Sequence, residues 1–288
     1  MITQRLEQTK ANARIKYFPD DEGNWVAKSI TAFSRPTFVA DGEILSQKWD
    51  SDIFDELELE ADDTSANSIE NQRKSYGRAK NNLFDILMAT PQFDTFTTLT
   101  LDGKRIDRQN YDVVIDKLGE WLDNRVRRND LTYVLVPEFH SDGKSIHFHG
   151  LTTWDSLKTV RAINQNPDSR YFGQPLVDNE HREVFNIIDY PYGYSTAIRI
   201  TGENAREACA KYCFKYITKT DGLKVGGRYY LSGGDLGRPK YELLNVSLDE
   251  LPCEQHETTY TTFKRMNFDD VHSMPEKLRR YYHAECRV

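Results

Sequence analysis

The segment that most constrains the fold is Val136-Pro137-Glu138-Phe139-His140-Ser141-Asp142-Gly143-Lys144-Ser145-Ile146-His147-Phe148-His149-Gly150. Asp-Gly between two runs rich in apolar residues is a strong hairpin signal, so the spacing predicts strands over 132–140 and 145–153. Alternate side chains of a strand share a face. His147 and His149 therefore point one way, and Ile146 and Phe148 the other. A two-residue turn at Asp142-Gly143 and a four-residue turn over Ser141–Lys144 give the same pairing, with Glu138 opposite His147 and His140 opposite Ser145. Directly opposed Cβ atoms stand about 4.5–5.5 Å apart, so Glu138, His147 and His149 can converge on one ion. Two imidazoles and a carboxylate suit a divalent metal with open positions: Mg²⁺ or Mn²⁺ in use, Zn²⁺ or Co²⁺ by affinity. The plainer reading makes the histidines ordinary polar residues on a half-exposed sheet face. Pro137 cannot donate a ladder hydrogen bond, which places its strand at an edge or bulged there; a bulge would make His140 the third ligand.

Around this hairpin, helix and strand signals alternate. Weak strand signals lie near residues 25–38, a helix is expected over about 69–88, and Phe93–Leu101 is β-branched and aromatic, as a strand is. Val113, Val114, Leu118, Trp121, Leu122 and Val126 fall near helical spacing within 110–129. A short helix is expected near Ser156–Ile163, strands near 183–189 and 196–201, and a helix from about Glu203 to Lys219 with Thr201 as N-cap. This order predicts an α+β chain with a mainly antiparallel sheet. Three regions follow: an N-terminal extension with an acidic linker (1–68), a central domain (69–222) and a C-terminal extension (223–288).

The last of these helices carries Lys211-Tyr212-Cys213-Phe214-Lys215-Tyr216-Ile217-Thr218-Lys219. Residues four apart stack on one helical face, which puts Tyr212 beside Tyr216 and Lys215 beside Lys219. In the plain reading the tyrosines are packing residues and the lysines a solvated edge. In the chemical one, a phenol attacks a phosphoryl group polarised by a metal, and lysines stabilise the charge that develops. The aryl phosphodiester so formed keeps the energy of the broken bond, which suits cutting and rejoining a nucleic-acid strand.

Net charge bears on that reading. The 288 residues carry −7 overall, which by itself speaks against a nucleic-acid partner. Ten acids against Lys48 between Asp41 and Asp63 contribute 1 − 10 = −9, leaving +2 for the rest. Arg199–Lys240 holds nine bases and four acids, a local +5. The acidic run reads as a solvated linker. Four cysteines without C-x-x-C spacing read as reduced thiols. No apolar run approaches the roughly eighteen residues of a membrane span, and the first residues lack a secretory signal, so a cytoplasmic location and no membrane partner are expected.

Taken together, these motifs resemble the rolling-circle replication initiators of small phages and plasmids, in the HUH endonuclease superfamily. Phe96-Thr97-Thr98-Leu99-Thr100 resembles the first family motif, Pro137-Glu138 through His147-Phe148-His149-Gly150 the second, and Lys211–Lys219 the third in its two-tyrosine form. Gln72–Asn82 and Ser232–Pro239 resemble flanking segments. The resemblance covers about residues 70–240 and implies a central antiparallel sheet of ferredoxin-like or RNA-recognition-motif-like topology. It also implies that Glu138, His147 and His149 bind Mg²⁺ or Mn²⁺. Tyr212 or Tyr216 would attack the scissile phosphate, leaving a 5′-phosphotyrosine and a free 3′-hydroxyl, with Lys215 and Lys219 holding tyrosine and phosphate in place. The implied partners are single-stranded DNA at an origin hairpin, a host helicase and a DNA polymerase inside a bacterial cell. Gly222-Leu223-Lys224-Val225-Gly226-Gly227 lacks the ending of a helicase P-loop, so unwinding is expected of the host. Relaxases place the tyrosine before the histidines; here it follows them. The alternatives are an origin-binding module without cleavage, a transposase or relaxase of the same chemistry, and a metallohydrolase that uses water.

Overall fold

A computed structural model describes residues 11–34, 69–140, 142–202, 205–219, 224–257, 262–268 and 275–276. The acidic run Asp41–Asp63 lies outside the described residues. In chain order the elements are β1 (Ala13–Pro19), β2 (Trp25–Phe33), α1 (Ile69–Ala89), β3 (Thr95–Leu101), α2 (Tyr111–Asn129), β4 (Tyr133–Phe139), β5 (Ile146–Thr152), β6 (Thr159–Arg161), β7 (Val184–Ile187), β8 (Gly193–Arg199), α3 (Ala205–Lys219), β9 (Leu231–Gly233), β10 (Lys240–Leu244), β11 (Gln255–Glu257) and β12 (Thr262–Asn267). The class is α+β with two antiparallel sheets, as the alternation of signals predicts. The chain divides into two compact units, Ala79–Gly237 and a second made of Met1–Arg78 with Arg238–Val288.

The Ala79–Gly237 unit is built on a seven-stranded sheet in the order β6-β7-β8-β3-β5-β4-β9. Its four central strands, β8-β3-β5-β4, are the fourth, first, third and second of the split β-α-β arrangement that defines ferredoxin-like topology. Alternation along β3 decides what each face does. Leu99 and Leu101 join Ile146, Phe148, Leu135 and Ala197 in a core closed by Val114, Leu118, Trp121 and Leu122 of α2. The α2 helix is started by the Asn110 side chain, which accepts from the Val113 N–H, and is ended by Asp130 in the left-handed conformation. Burying such apolar side chains contributes about 1.5–3 kcal/mol each. Phe96, Thr98 and Thr100 face the other way, on the side where α3 packs against β4 and β5.

One element differs from expectation. Instead of a short helix over Ser156–Ile163 the chain makes a 3-10 turn at Trp154–Ser156 and then strand β6, which pairs with β7. Thr159 and Val160 are β-branched and lose rotamer freedom in a helix, and the edge of β7 offers them a ladder. Ladder-like bridges Ile163↔Pro175 and Val177↔Glu183 continue the ribbon beyond it.

In the second unit the sheet order is β10-β1-β2-β12-β11. It is assembled from the two ends of the chain. Ala13, Ile15, Tyr17, Ala27, Ile30 and Ala32 pack with Val246, Leu251 and Phe268. The Tyr17 hydroxyl donates to the Glu242 carboxylate at 2.8 Å across the β1–β10 ladder. No helix among the described residues is long and apolar enough to cross a membrane.

Candidate active site

The β4–β5 ladder runs unbroken from Tyr133↔Thr152 to Phe139↔Ile146, with Glu138 opposite His147. The turn that sets this register is tied by Asp142. Its carboxylate accepts from the N–H groups of Lys144 and Ser145 and from the Ser145 hydroxyl. These three donors hold its acid well below the ordinary carboxylate range. His140 N–H donates to the Ser145 carbonyl at 2.7 Å, closing the hairpin. Pro137 is accommodated without a bulge because β9 pairs only with Tyr133, Val134 and Leu135, so β4 has no outer neighbour at Pro137. Gly150 is required here for space. A Cβ at this position would overlap the Val134 carbonyl oxygen and stand 2.9 Å from Leu135 Cα.

Glu138 Oε2 lies 3.2 Å from His147 Nε2 and 3.2 Å from His149 Nε2. The three ligand atoms all fall within 4.8 Å of one another. Adjacent donors on an octahedral ion with bonds of 2.0–2.1 Å sit about 3 Å apart, so the set fits such an ion with positions to spare. Thr98 Oγ1 lies 3.0 Å from His149 Nδ1. A proton on Nδ1 donated to this hydroxyl leaves the Nε2 lone pair facing Glu138, the arrangement a metal-binding histidine needs. The His140 ring stands 4.6 Å from that of His147, and its nitrogens are not part of the three-residue cluster.

The α3 helix carries both tyrosines to this cluster. The Tyr216 ring stacks on His149 at 4.5 Å with 13° between planes, and its hydroxyl donates to Tyr212 Oη at 2.7 Å. Tyr216 is 6% exposed and Tyr212 is 49% exposed. Phe96 of β3 braces Tyr212 at 5.6 Å between ring centres, and Phe84 of α1 meets Phe214 edge-on at 5.6 Å. Burial first, then the hydrogen bond to Tyr212 and the charges of Tyr212 and Glu138, hold the Tyr216 phenol well above the ordinary tyrosine range. Burial likewise pushes the Cys213 thiol up, so it is a packing residue. Lys215 is exposed on the same helix. The Lys219 side chain lies outside the described residues.

Two neighbours of the cluster escape a reading of motifs by residue type. Thr98 and Phe96 sit in the first motif only as strand formers. Their even spacing on β3, in phase with the histidines across the ladder, is the signal that assigns them to this face.

This arrangement sets an ion site and two phenols on one surface. Residues 94–221 match the family model of the ORF2-type replication-associated proteins. The matched stretch runs from the start of β3 to just past α3 and so contains all seven residues singled out above. It supports a role for the chain as a replication initiator. No curated protein and no solved structure matches the chain.

Proposed function

We propose that the chain starts rolling-circle replication by nicking and rejoining single-stranded DNA at an origin, with a tyrosine as nucleophile and a divalent metal as cofactor. The observation that carries this reading is the Tyr216 ring stacked on His149, inside the Glu138–His147–His149 cluster, with its hydroxyl bonded to Tyr212. Replication initiators of this type are generally nucleases, which agrees with it.

A divalent ion held by Glu138, His147 and His149 would supply Lewis acidity at a phosphoryl oxygen. The phenol oxygen of Tyr212 or Tyr216 attacks the scissile phosphorus. A phosphorus–oxygen bond to tyrosine forms as the bond to the 3′ oxygen breaks. The phenol proton passes to solvent and the departing 3′ oxygen takes one up, leaving a 5′-phosphotyrosine and a 3′-hydroxyl for a polymerase. Lys215 and Lys219 place positive charge on the helix that bears the developing phenolate. Because the two phenol oxygens share one hydrogen bond, both are within reach of one phosphorus. One tyrosine can then cut the regenerated origin while the other remains esterified. Strand separation falls to a host helicase.

The full chain is incubated with single-stranded origin oligonucleotides and Mn²⁺. An SDS-stable protein–DNA adduct is expected, absent with chelator and absent from the Tyr212→Phe, Tyr216→Phe double variant. An adduct that persists in the double variant, or cleavage without any adduct, would overturn the reading.

A further inference from the structure

The proposed chemistry accounts for the β4, β5 and α3 end of the site face but leaves the rest of that face without a role. In the β3–β5 and β3–β8 ladders Thr100 pairs with both His147 and Tyr194, and Thr98 with both His149 and Thr196. Directly paired residues share a face, so Tyr194, Thr196, Thr98 and Thr100 continue the surface that carries the histidines. Tyr194 lies two strands from His147. At about 4.8 Å per strand that is roughly 10 Å.

Tyr194 is unlike the two tyrosines before it. Tyr190 is buried edge-on to Trp121, and the Tyr192 hydroxyl donates to the Lys117 carbonyl, so both serve the α2 side of the sheet. The chain then bends at Gly193, where a Cβ would overlap the Thr100 carbonyl oxygen and stand 2.8 Å from the Asp102 nitrogen. Beyond this bend Tyr194 emerges on the opposite face, 50% exposed, with no hydrogen bond or ring contact among the described residues. Its surroundings are threonine hydroxyls of half-buried residues rather than apolar side chains. A lone aromatic ring on a polar floor suits a flat, polar-edged partner better than it suits a protein core. Two exposed lysines stand at this end of the sheet. Lys144 is in the turn that opens β5. Lys104 is in the loop that leaves β3, tied to the β8 entry by Asp102 N–H donating to the Tyr192 carbonyl at 2.8 Å.

We propose that Tyr194 is a stacking platform for an unpaired base beside the scissile phosphate, so that the single strand leaves the metal cluster across Thr100 and over β8. The occupant is a single-stranded polynucleotide, argued from continuity with the candidate active site and from the lysine charges at the strand's exit. This inference rests on the reading of the site as one that cuts single-stranded DNA. Every base has a π-face, so stacking there secures the strand without selecting its sequence.

The test uses the full chain and a fluorescein-labelled oligothymidine of about 20 nucleotides, longer than the roughly 4–16 that a single-strand site occupies. Tyr194→Ala is expected to bind it about tenfold more weakly, Tyr194→Phe within about twofold of the unaltered chain, and Tyr171→Ala, a distant exposed aromatic, unchanged. Thermal melting of each variant reports folding. An oligonucleotide of abasic residues of the same length supplies the readout that a structural role would not move: its binding should be indifferent to Tyr194→Ala. Equal affinity of Tyr194→Ala and the unaltered chain for oligothymidine would overturn the platform and leave the nicking reading standing. So would equal losses on the two oligonucleotides. If the unaltered chain does not prefer the single strand to duplex, both readings fall together.

Discussion

Replacing Gly150 with alanine perturbs the hairpin at the residue that follows His149. The added methyl would overlap the Val134 carbonyl oxygen and stand 2.7 Å from its carbon and 2.9 Å from Leu135 Cα, all of them backbone atoms. No side-chain rotation relieves this, so β4 and β5 must separate locally. The ladder there joins Leu135 to Gly150 and Val136 to His149. Losing about two backbone hydrogen bonds, and leaving their buried partners unsatisfied at about 1–3 kcal/mol each, gives a destabilisation of roughly 3–5 kcal/mol. For a domain of this size that lowers Tm by roughly 10 °C. The same displacement moves His149 away from Glu138. The stabilisation that Mn²⁺ gives the folded chain by binding it should therefore shrink as well. Differential scanning fluorimetry with and without Mn²⁺ measures both quantities. A Gly150→Ala chain that melts within about 2 °C of the unaltered one and gains as much from Mn²⁺ would refute the packing argument.

Three further outcomes follow from the geometry. Glu138→Ala removes the carboxylate that both histidines face; the melting gain from Mn²⁺ should vanish and the DNA adduct with it, while the metal-free melt changes little. Thr98→Ala frees the His149 ring, and titration calorimetry should show metal affinity weaker by about 10- to 100-fold, with Thr98→Ser restoring it. The Asp142 acid is lowered on folding from its ordinary value of 3.8, so its contribution to stability is full above that pH and is lost as pH falls below it. The Tm difference between the unaltered chain and Asp142→Asn should accordingly narrow between about pH 5 and about pH 2; a constant difference would mean that the turn does not depend on the charge.

The hairpin was legible because three local signals agree: an Asp-Gly turn, period-two alternation and a register that is the same for both turn lengths. From these the approach of Glu138 to both imidazoles follows without knowledge of the rest of the chain. The α2 helix was legible for the same reason, since its apolar spacing and its Asn110 cap are local. What β6 becomes was not legible, because a three-residue strand is decided by the neighbour that pairs with it and not by its own pattern. Strands β1, β9, β10, β11 and β12 escaped for a related reason. The β1 ladder joins residues more than two hundred positions apart, as Ala13↔Leu244 does, and nothing near Ala13 announces the partner. In the site, the residue types pointed to Tyr212 and Tyr216, but their inequality did not. One is buried on His149 and the other half-exposed against Phe96 because α3 crosses the sheet with its Tyr216 turn over β5 and its Tyr212 turn over β3. Helical periodicity places both on one face and is blind to that crossing.

The central claim is that a phenol of α3 takes the DNA phosphate beside the Glu138–His147–His149 cluster. Trypsin cuts after Lys211, Lys215 and Lys219, which separates Tyr212-Cys213-Phe214-Lys215 from Tyr216-Ile217-Thr218-Lys219. Mass spectrometry of a nuclease-trimmed, trypsin-digested adduct formed in Mn²⁺ reads the attachment directly. The account predicts a nucleotide joined through its 5′ phosphate to one or both of these peptides. A nucleotide found on any other peptide would contradict it.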